Sequence, residues 1–224
     1  KFVFLGNQLV NSNNNIQAVL ATGLVSDPNG LTNTVLYWWN GASYTILTYY
    51  KDIDAQNQFA PTFGDGWYTG TGAFATNQLN QGKQGGHFVK NPSTSPITVT
   101  MVGQVLQGTN VYSITPGFNT YTIAEPVSTN LNSALVNFPG TSDPNGLTND
   151  IYYHFNGNSY DILTYYTDTD AQNQFAPTFG NGWYTAAGAF GSTNASLWPK
   201  VGEGFWIRHA AASTVNWTNA FTVQ

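Results

Sequence analysis

Short runs of alternating apolar and polar residues occur along most of the chain. Ile97, Val99 and Met101 alternate with threonines, and residues 215–218 continue the alternation with valine and tryptophan as the apolar members. Successive side chains of a strand point to opposite faces, so a period of two is typical of a strand with one buried face. No stretch has a convincing helical period. The pattern predicts an all-β protein.

Two aromatic-rich runs are each interrupted by Asn-Gly, at Asn40-Gly41 and at Asn156-Gly157. Asn and Gly accept the positive φ angles that tight turns between antiparallel strands require. Asp-Pro-Asn-Gly stands upstream of each run, at residues 27–30 and 143–146. Pro fixes φ and Gly closes the bend, so these are turns as well. The sequence therefore predicts two equivalent hairpins.

The hairpins belong to a duplicated segment of domain size. Residues 26–74 and 142–190 align without a gap at an offset of 142 − 26 = 116, and about three quarters of the positions are identical. A repeat of this length marks two copies of one structural unit. We therefore expect two tandem homologous β-sandwich or barrel-like units, residues 1–104 and residues 105–224.

The two units differ in the segment that precedes the repeat. The second unit has an opening pair of strands, Val105 to Ile114 and Phe118 to Ile123, whereas the first has only Phe2 to Val10 and residues 16–24. The first unit is thus expected to lack part of its opening sheet edge. An open edge is a template for pairing with another chain.

The chain begins with an apolar segment, Phe2-Val3-Phe4-Leu5. Four apolar residues in a row predict a strand that is covered on both faces. We expect the N-terminal segment Phe2 to Val10 to pair with a sheet edge, either within the chain or in a neighbouring subunit. A strand donated head to tail is a heterologous contact, and such contacts generate open filaments when they do not close into a ring.

Composition narrows the classes of partner. Only 8% of residues are charged and the net charge is -5, so no basic surface for nucleic acid or an anionic membrane is expected. No apolar stretch reaches the roughly 20 residues of a transmembrane helix. The chain has no cysteine, which excludes disulfides and thiolate metal sites. Aromatic residues make up 15% of the chain. A polar surface that carries few charges and many aromatic residues favours a secreted protein.

One candidate metal site occurs in both copies of the repeat. A D-x-D-x-x-N spacing brings oxygen ligands together in a short segment, and Ca²⁺ binds such ligands. The glycine and glutamate of an EF-hand loop are absent, and the alternative is a network of Asx turns within the loop. No other cofactor is expected. The six candidate ligands are Asp52, Asp54, Asn57, Asp168, Asp170 and Asn173.

Aromatic side chains in the repeat suggest a second kind of site, a stacking platform for sugar rings. The alternative is that these rings pack in the core, where they bury the largest area per residue. Trp67 and Trp183 each follow a Gly-x-Gly bend, and we expect both to be buried at equivalent positions. The candidate platform residues are Tyr37, Trp67, Tyr68, Tyr153, Trp183 and Tyr184.

No set of residues predicts catalysis. His87, His154 and His209 do not occupy equivalent positions in the two units, and neither Glu125 nor Glu203 has a counterpart. No G-x-S-x-G elbow for a nucleophilic serine occurs. Paired-carboxylate hydrolysis needs one carboxyl kept protonated in an apolar pocket, whereas the aspartate pairs stand among polar residues. We therefore expect no enzymatic activity and no catalytic residue.

Two segments carry a resemblance to known sequences. VGEGFWIRHAA at residues 201–211 and LQGTNVYSITPGFNTYTI at residues 106–123 resemble tandem-repeat segments of uncharacterised secreted proteins from environmental bacteria. The resemblance implies extracellular β architecture and carries no catalytic residues.

The expected function follows from the architecture. We expect an extracellular structural protein of the cell surface, a subunit of a filament, sheath or surface layer that polymerises with copies of itself through strand sharing. The alternative is a secreted, lectin-like carbohydrate-binding module with two similar aromatic sites and glycans as partners.

Overall fold

The computed structural model describes residues 1–20, 22–83, 85–123, 130–135, 137–175 and 177–222. The strands are β1 (Phe2–Gly6), β2 (Leu9–Val10), β3 (Val35–Trp39), β4 (Tyr44–Tyr50), β5 (Gly66–Thr69), β6 (Gly82–Lys83), β7 (Gly86–Lys90), β8 (Gln104–Val105), β9 (Gly108–Ile114), β10 (Gly117–Thr122), β11 (Ile151–Phe155), β12 (Tyr160–Tyr166), β13 (Gly182–Tyr184), β14 (Phe205–His209) and β15 (Val215–Phe221). The α-helices are α1 (Ile16–Val19), α2 (Asp52–Gln58), α3 (Leu131–Ala134) and α4 (Asp168–Gln174), with 3-10 turns at Gly191–Thr193 and Ala195–Leu197. The all-β prediction is confirmed.

The two main sheets repeat one arrangement of antiparallel strands. The order in the first sheet is β1-β7-β3-β4-β5, and in the second it is β13-β12-β11-β14-β10-β6. Strand β10 takes the place of β1, since Phe2 lies opposite Lys90 and Phe118 lies opposite Arg208. Apart from β6, the remaining strands correspond one to one. The chain is thus built of two tandem homologous sandwich-like units.

The hairpins form where the Asn-Gly pairs predict them. Strands β3 and β4 pair up to Trp39↔Tyr44, and β11 and β12 pair up to Phe155↔Tyr160. Gly41 has φ of 99° and Gly157 has φ of 96°. In the first hairpin the side-chain oxygen of Asn40 accepts hydrogen bonds from the N–H groups of Ala42 and Ser43. In both hairpins an asparagine thus organises a four-residue turn.

Each unit has its own hydrophobic core. Trp67 is 0% exposed and Trp183 is 1% exposed, which confirms the prediction that both are buried at equivalent positions. The first core contains Leu36, Leu47 and Val89 beside Trp67. The second core is larger because β9 and β15 add a second layer to it.

Strands of the first unit pair with strands of the second, across the boundary expected at residue 104. Strand β6 pairs with β10 at Tyr121↔Lys83, and β2 pairs with β8 at Leu9↔Val105. The N–H of Gly204 also donates to the carbonyl oxygen of Phe4 at 2.9 Å. Backbone hydrogen bonds therefore connect the two units.

The N-terminal segment pairs with a sheet edge, and that edge is in its own unit. Strand β1 lies beside β7 from Phe2↔Lys90 to Gly6↔Gly86. Of the two expected alternatives, the structure shows β1 paired within the chain. The expected cover on both faces is also only half correct, because Phe4 and Leu5 are buried while Phe2 is 42% and Val3 is 53% exposed.

Candidate functional sites

The candidate metal ligands lie in helices rather than in the expected loops. Asp52–Gln58 and Asp168–Gln174 are helices of seven residues each. The aspartates occupy the first turn, where a negative charge interacts favourably with the helix dipole. Asp54 accepts a hydrogen bond from the hydroxyl of Ser26 at 2.5 Å. The equivalent Asp170 accepts one from Ser142 at 2.5 Å.

The other candidate ligands are also engaged locally. A carboxylate oxygen of Asp52 accepts from the Gln56 amide at 3.1 Å, and the Asn57 amide donates to the carbonyl oxygen of Ile53 at 3.0 Å. Asp168 and Asn173 repeat both bonds in the second unit. Within the described ranges no three His, Cys, Asp or Glu side chains converge as a metal site would require. Hydrogen bonds within the two helices and to Ser26 and Ser142 engage these residues.

Two histidine–carboxylate pairs escaped the sequence analysis, and the first of them is fully buried. His209 Nδ1 lies 3.0 Å from both carboxylate oxygens of Asp150, and its Nε2 lies 3.2 Å from the carbonyl oxygen of Ser213. The N–H groups of Thr141 and Ala210 donate to the same carboxylate. Both side chains of the pair are 0% exposed. The cluster joins a loop to the end of β14 and is closed to a substrate.

The second pair lies beside a cavity of about 360 Å³ that has both polar and apolar lining residues. His154 Nε2 is 3.3 Å from a carboxylate oxygen of Glu203, and its Nδ1 is 3.7 Å from Asp161. Burial alone would raise the pKa of Glu203, but hydrogen bonds from His154 and from the N–H of Lys200 outweigh it and lower that pKa. The pair lies where β1 meets the second unit.

The third histidine, His87, is a core residue. Its ring stacks on Trp38 with centroids 6.0 Å apart, and its Nδ1 accepts from the N–H of Trp39 at 3.4 Å. Burial lowers the pKa of His87 to about 3. A neutral imidazole of this kind supplies no charge for binding or catalysis. The equivalent position in the second unit is Phe205, which is also buried.

Four of the six candidate sugar-platform residues are inaccessible. Trp67, Tyr68 and Tyr184 are 0% exposed and Trp183 is 1% exposed, so their ring faces cannot meet a ligand. The tryptophans lie in the cores, and the tyrosines are covered by α2 and α4 together with neighbouring rings. For these four residues the alternative, packing in the core, is confirmed, and the prediction of a sugar-binding platform is wrong.

The remaining two platform residues, Tyr37 and Tyr153, line a pair of aromatic clefts between the units. The first cleft has a volume of about 360 Å³ and the second about 560 Å³. The first is lined by Trp39, Tyr44, Phe118, Tyr153, Tyr160 and Trp206. The second is lined by Phe2, Tyr37, Tyr44, Phe88, Phe155 and Tyr160 together with Gly157 and Asn158.

The two clefts are copies of each other. Every aromatic residue of the first cleft has its repeat counterpart in the second, and Tyr44 and Tyr160 exchange places between them. Burial raises the pKa of both tyrosines, so their hydroxyl groups stay protonated and neutral. We call these cavities the twin aromatic clefts. They offer ring surfaces, phenol hydroxyls and no charged side chain.

The largest difference between the units is in their closing segments. Residues 97–102 correspond to the start of β15, because each segment begins seven residues after an equivalent strand residue, Lys90 in β7 or Arg208 in β14 (97 − 90 = 7 and 215 − 208 = 7). Strand β15 pairs with β9 over seven residues, from Val215↔Ile114 to Phe221↔Gly108. Residues 97–102 enter no strand pairing with any part of the chain that the structure describes.

A groove of about 330 Å³ lies beside this unpaired segment. We call it the edge groove. Its lining consists of Lys1, Val3, Leu5, Val89, Asn91, Ser93, Thr94, Ser95, Pro96, Ile97 and Val99. Five of these are aliphatic side chains on β1, on β7 and in the closing segment, and the rest are mostly small polar residues at one end. The groove is therefore an apolar surface next to a segment that enters no strand pairing within the described ranges.

The chain matches no protein-family model, no curated protein and no solved structure. The helices within the described ranges are too short to cross a bilayer.

Proposed function

We propose that this protein is an extracellular structural protein whose copies associate through shared β-strands into a filament, sheath or surface layer. The observation that carries the proposal is the unpaired segment 97–102, whose counterpart β15 is paired along its length. A segment that enters no strand pairing has backbone N–H and C=O groups that another strand can satisfy. The first unit thus has the properties of an acceptor.

Such an acceptor favours open assemblies over closed dimers. It belongs to one unit only, so a partner strand from another copy makes a heterologous contact. A heterologous contact that does not close into a ring continues indefinitely along a filament. The difference between the closing segments of the two units supplies the asymmetry that this mode of growth requires.

Surface composition supports association between copies. With 8% charged residues, neighbouring copies repel each other weakly. Large apolar side chains are exposed on both sheets, and extensive apolar surface is typical of an interface. The most exposed of them on the strands are Phe2, Val3, Ile46, Val111, Phe118 and Ile162. The same low charge content and aromatic-rich composition support an extracellular location.

The test is whether the purified chain polymerises through this edge. Light scattering and negative-stain microscopy over a concentration series should reveal growing polymers. The double variant Thr98→Lys/Thr100→Lys should block growth, because lysine on an edge strand opposes pairing. Thr218→Lys is the matched control, since Thr218 is the counterpart of Thr100 and lies on a paired strand. A monodisperse monomer at every concentration would contradict the proposal.

A second candidate function, carbohydrate binding, is favoured by the twin aromatic clefts. A neutral, mostly apolar cavity with a few hydroxyl groups suits the face and edge of a sugar ring. Screening neutral oligosaccharides by tryptophan fluorescence tests this function, with Tyr44→Ala as the cleft variant because Tyr44 lines both clefts. Phe63→Ala is the control, an aromatic residue that is 57% exposed outside the clefts. The absence of any binding would remove this candidate.

A further inference from the structure

His154 has one ring nitrogen with a hydrogen-bond partner and one without. Its side chain is 5% exposed, and Nε2 lies 3.3 Å from a carboxylate oxygen of Glu203. A carboxylate only accepts hydrogen bonds, so Nε2 carries the proton and donates it. In the neutral ring Nδ1 is then an acceptor, and this buried atom receives no hydrogen bond from the part of the chain that the structure describes. A buried acceptor without a donor is uncommon in a folded protein and calls for an explanation.

The unpartnered nitrogen faces a second acceptor, the carboxylate of Asp161. The two residues lie opposite each other on β11 and β12, so their side chains share one face of the sheet. Nδ1 of His154 is 3.7 Å from Oδ2 of Asp161, too far for a hydrogen bond. The other oxygen of Asp161 accepts from the Asn156 amide at 3.2 Å. A donor with at least two hydrogens, placed between Nδ1 and Oδ2, would satisfy both atoms.

The cavity beside this pair, which we call the His154 cavity, carries one negative charge. Its charged lining residues are Asp161, Lys200 and Glu203. Nζ of Lys200 is 3.8 Å from Glu203, so these two charges balance. Asp161 has no lysine or arginine partner within the described ranges. A water molecule can bridge two acceptors, but only a cation also balances the charge of Asp161.

The first unit has no equivalent of this cluster. The positions that correspond to His154 and Asp161 hold Trp38 and Thr45 (154 − 116 = 38 and 161 − 116 = 45). The indole N–H of Trp38 donates to the carbonyl oxygen of Gln78 at 3.2 Å. The fold of the unit therefore does not require an ionisable pair at these positions.

We propose that the His154 cavity binds the primary ammonium group of a small organic ligand. The ammonium donates one hydrogen bond to Nδ1 of His154 and another to Oδ2 of Asp161. Phe2 and Phe155 line both this cavity and the second aromatic cleft. The carbon part of the ligand can pack on these two rings, whose faces also attract a cation.

A metal ion fits the same atoms less well. Only His154 and Asp161 face the position between Nδ1 and Oδ2, whereas Glu203 contacts the opposite ring nitrogen. Protein metal sites generally supply three or more ligands. An ammonium needs no more than the two acceptors that are present.

Titration with small amines tests the site. The chain has three histidines, so a sample with isotope-labelled histidine reports on His154 with His87 and His209 as internal references. At constant pH and ionic strength, we expect n-butylamine and glucosamine to shift the ring signals of His154 saturably. These two probes present the ammonium on an alkyl chain and on a sugar ring, and the tighter of them identifies the carbon part that the cavity prefers. n-Butanol and glucose lack the ammonium and should bind at least about tenfold more weakly.

Two variants that each remove one negative charge separate the site from general electrostatic attraction. Asp161→Asn supplies an amide that can donate to Nδ1, and affinity for n-butylamine should fall about tenfold or more. Asp65→Asn is the matched control and should bind as the wild type does. Asp65 accepts from the N–H of Asp52, and its counterpart Asn181 already accepts the same bond in the second unit.

Three results would overturn the inference. They are the absence of a saturable shift at His154, equal affinities of the two variants, and binding of n-butanol or glucose as tight as that of the corresponding amine. The site is independent of the proposed assembly. A monomer that binds amines would support the site and contradict assembly, whereas polymers whose His154 does not respond would do the reverse.

Discussion

The indole ring of Trp39 in the first unit lies 5.1 Å from the indole ring of Trp206 in the second, measured between centroids. The repeat counterparts of these residues make the reciprocal contact, since Phe155 lies 5.2 Å from Phe88. Reciprocal contacts of this kind are what a two-fold axis generates. The two units are therefore packed as a pseudo-symmetric pair, and the twin aromatic clefts follow from that packing.

Trp206 should be important for the stability of this packing. It is 8% exposed and contacts rings from both units, including Phe4 at 5.8 Å. Trp206→Ala should lower the free energy of unfolding by about 3–5 kcal/mol, measured by urea denaturation. Phe179→Ala is the control, because Phe179 is 53% exposed and its loss should cost about 0.5 kcal/mol. Equal losses for the two variants would contradict the packing account.

The core tryptophans should be equally important in the two units. Trp67 packs 5.7 Å from Tyr49, and Trp183 packs 5.4 Å from Tyr165. Trp67→Ala and Trp183→Ala should each cost about 3–5 kcal/mol in urea denaturation. A cost below about 1 kcal/mol for either would mean that its ring is not a core element.

His87 should make stability depend on pH. Burial lowers the pKa of His87 to about 3, whereas the pKa of histidine in an unfolded chain is about 6.5. Between these values the unfolded chain binds the extra proton, so stability falls as the pH falls, by up to about 1.4 kcal/mol per pH unit. His87→Phe, which copies position 205, should remove this contribution.

Urea denaturation at several pH values within that window measures the effect. Carboxylates contribute to the pH dependence of both proteins, so the quantity to compare is the difference in slope between the wild type and the variant. Identical slopes would show that His87 binds its proton equally well in the folded and in the unfolded chain.

The Asp150–His209 pair should behave as one unit. In the first unit the same positions hold Thr34 and Asn91. Asp150→Thr or His209→Asn alone leaves a buried polar group without its partner and should cost about 3–5 kcal/mol. The double variant should cost clearly less than the sum of the two single losses. A double-mutant cycle measures this coupling, and strict additivity would argue against it.

The sequence predicted the β architecture and the hairpins because those features depend on local alternation and turn residues. The helices at Asp52–Gln58 and Asp168–Gln174 were missed because seven residues are too few for a helical period to stand out. The bond between Asp150 and His209 joins residues 59 apart, and nothing local predicts it.

The candidate sites could be predicted only in part. Trp67 and Tyr68 are adjacent on one strand, and alternation would expose one of them, but α2 and its neighbouring rings cover Tyr68. The twin aromatic clefts arise from packing between units, which the sequence of one repeat does not contain. The alternation at Ile97, Val99 and Met101 predicted a strand, and that prediction was wrong, because residues 97–102 form no strand in the structure.

Hydrogen exchange of residues 97–102 in assembled and unassembled protein tests the central claim most directly. Strand sharing predicts that amide protons of this segment exchange rapidly in the monomer and become as protected in the assembly as those of β15. The amides of β15 serve as the internal reference, since that strand is already paired. Assemblies in which residues 97–102 exchange as rapidly as in the monomer would contradict the account.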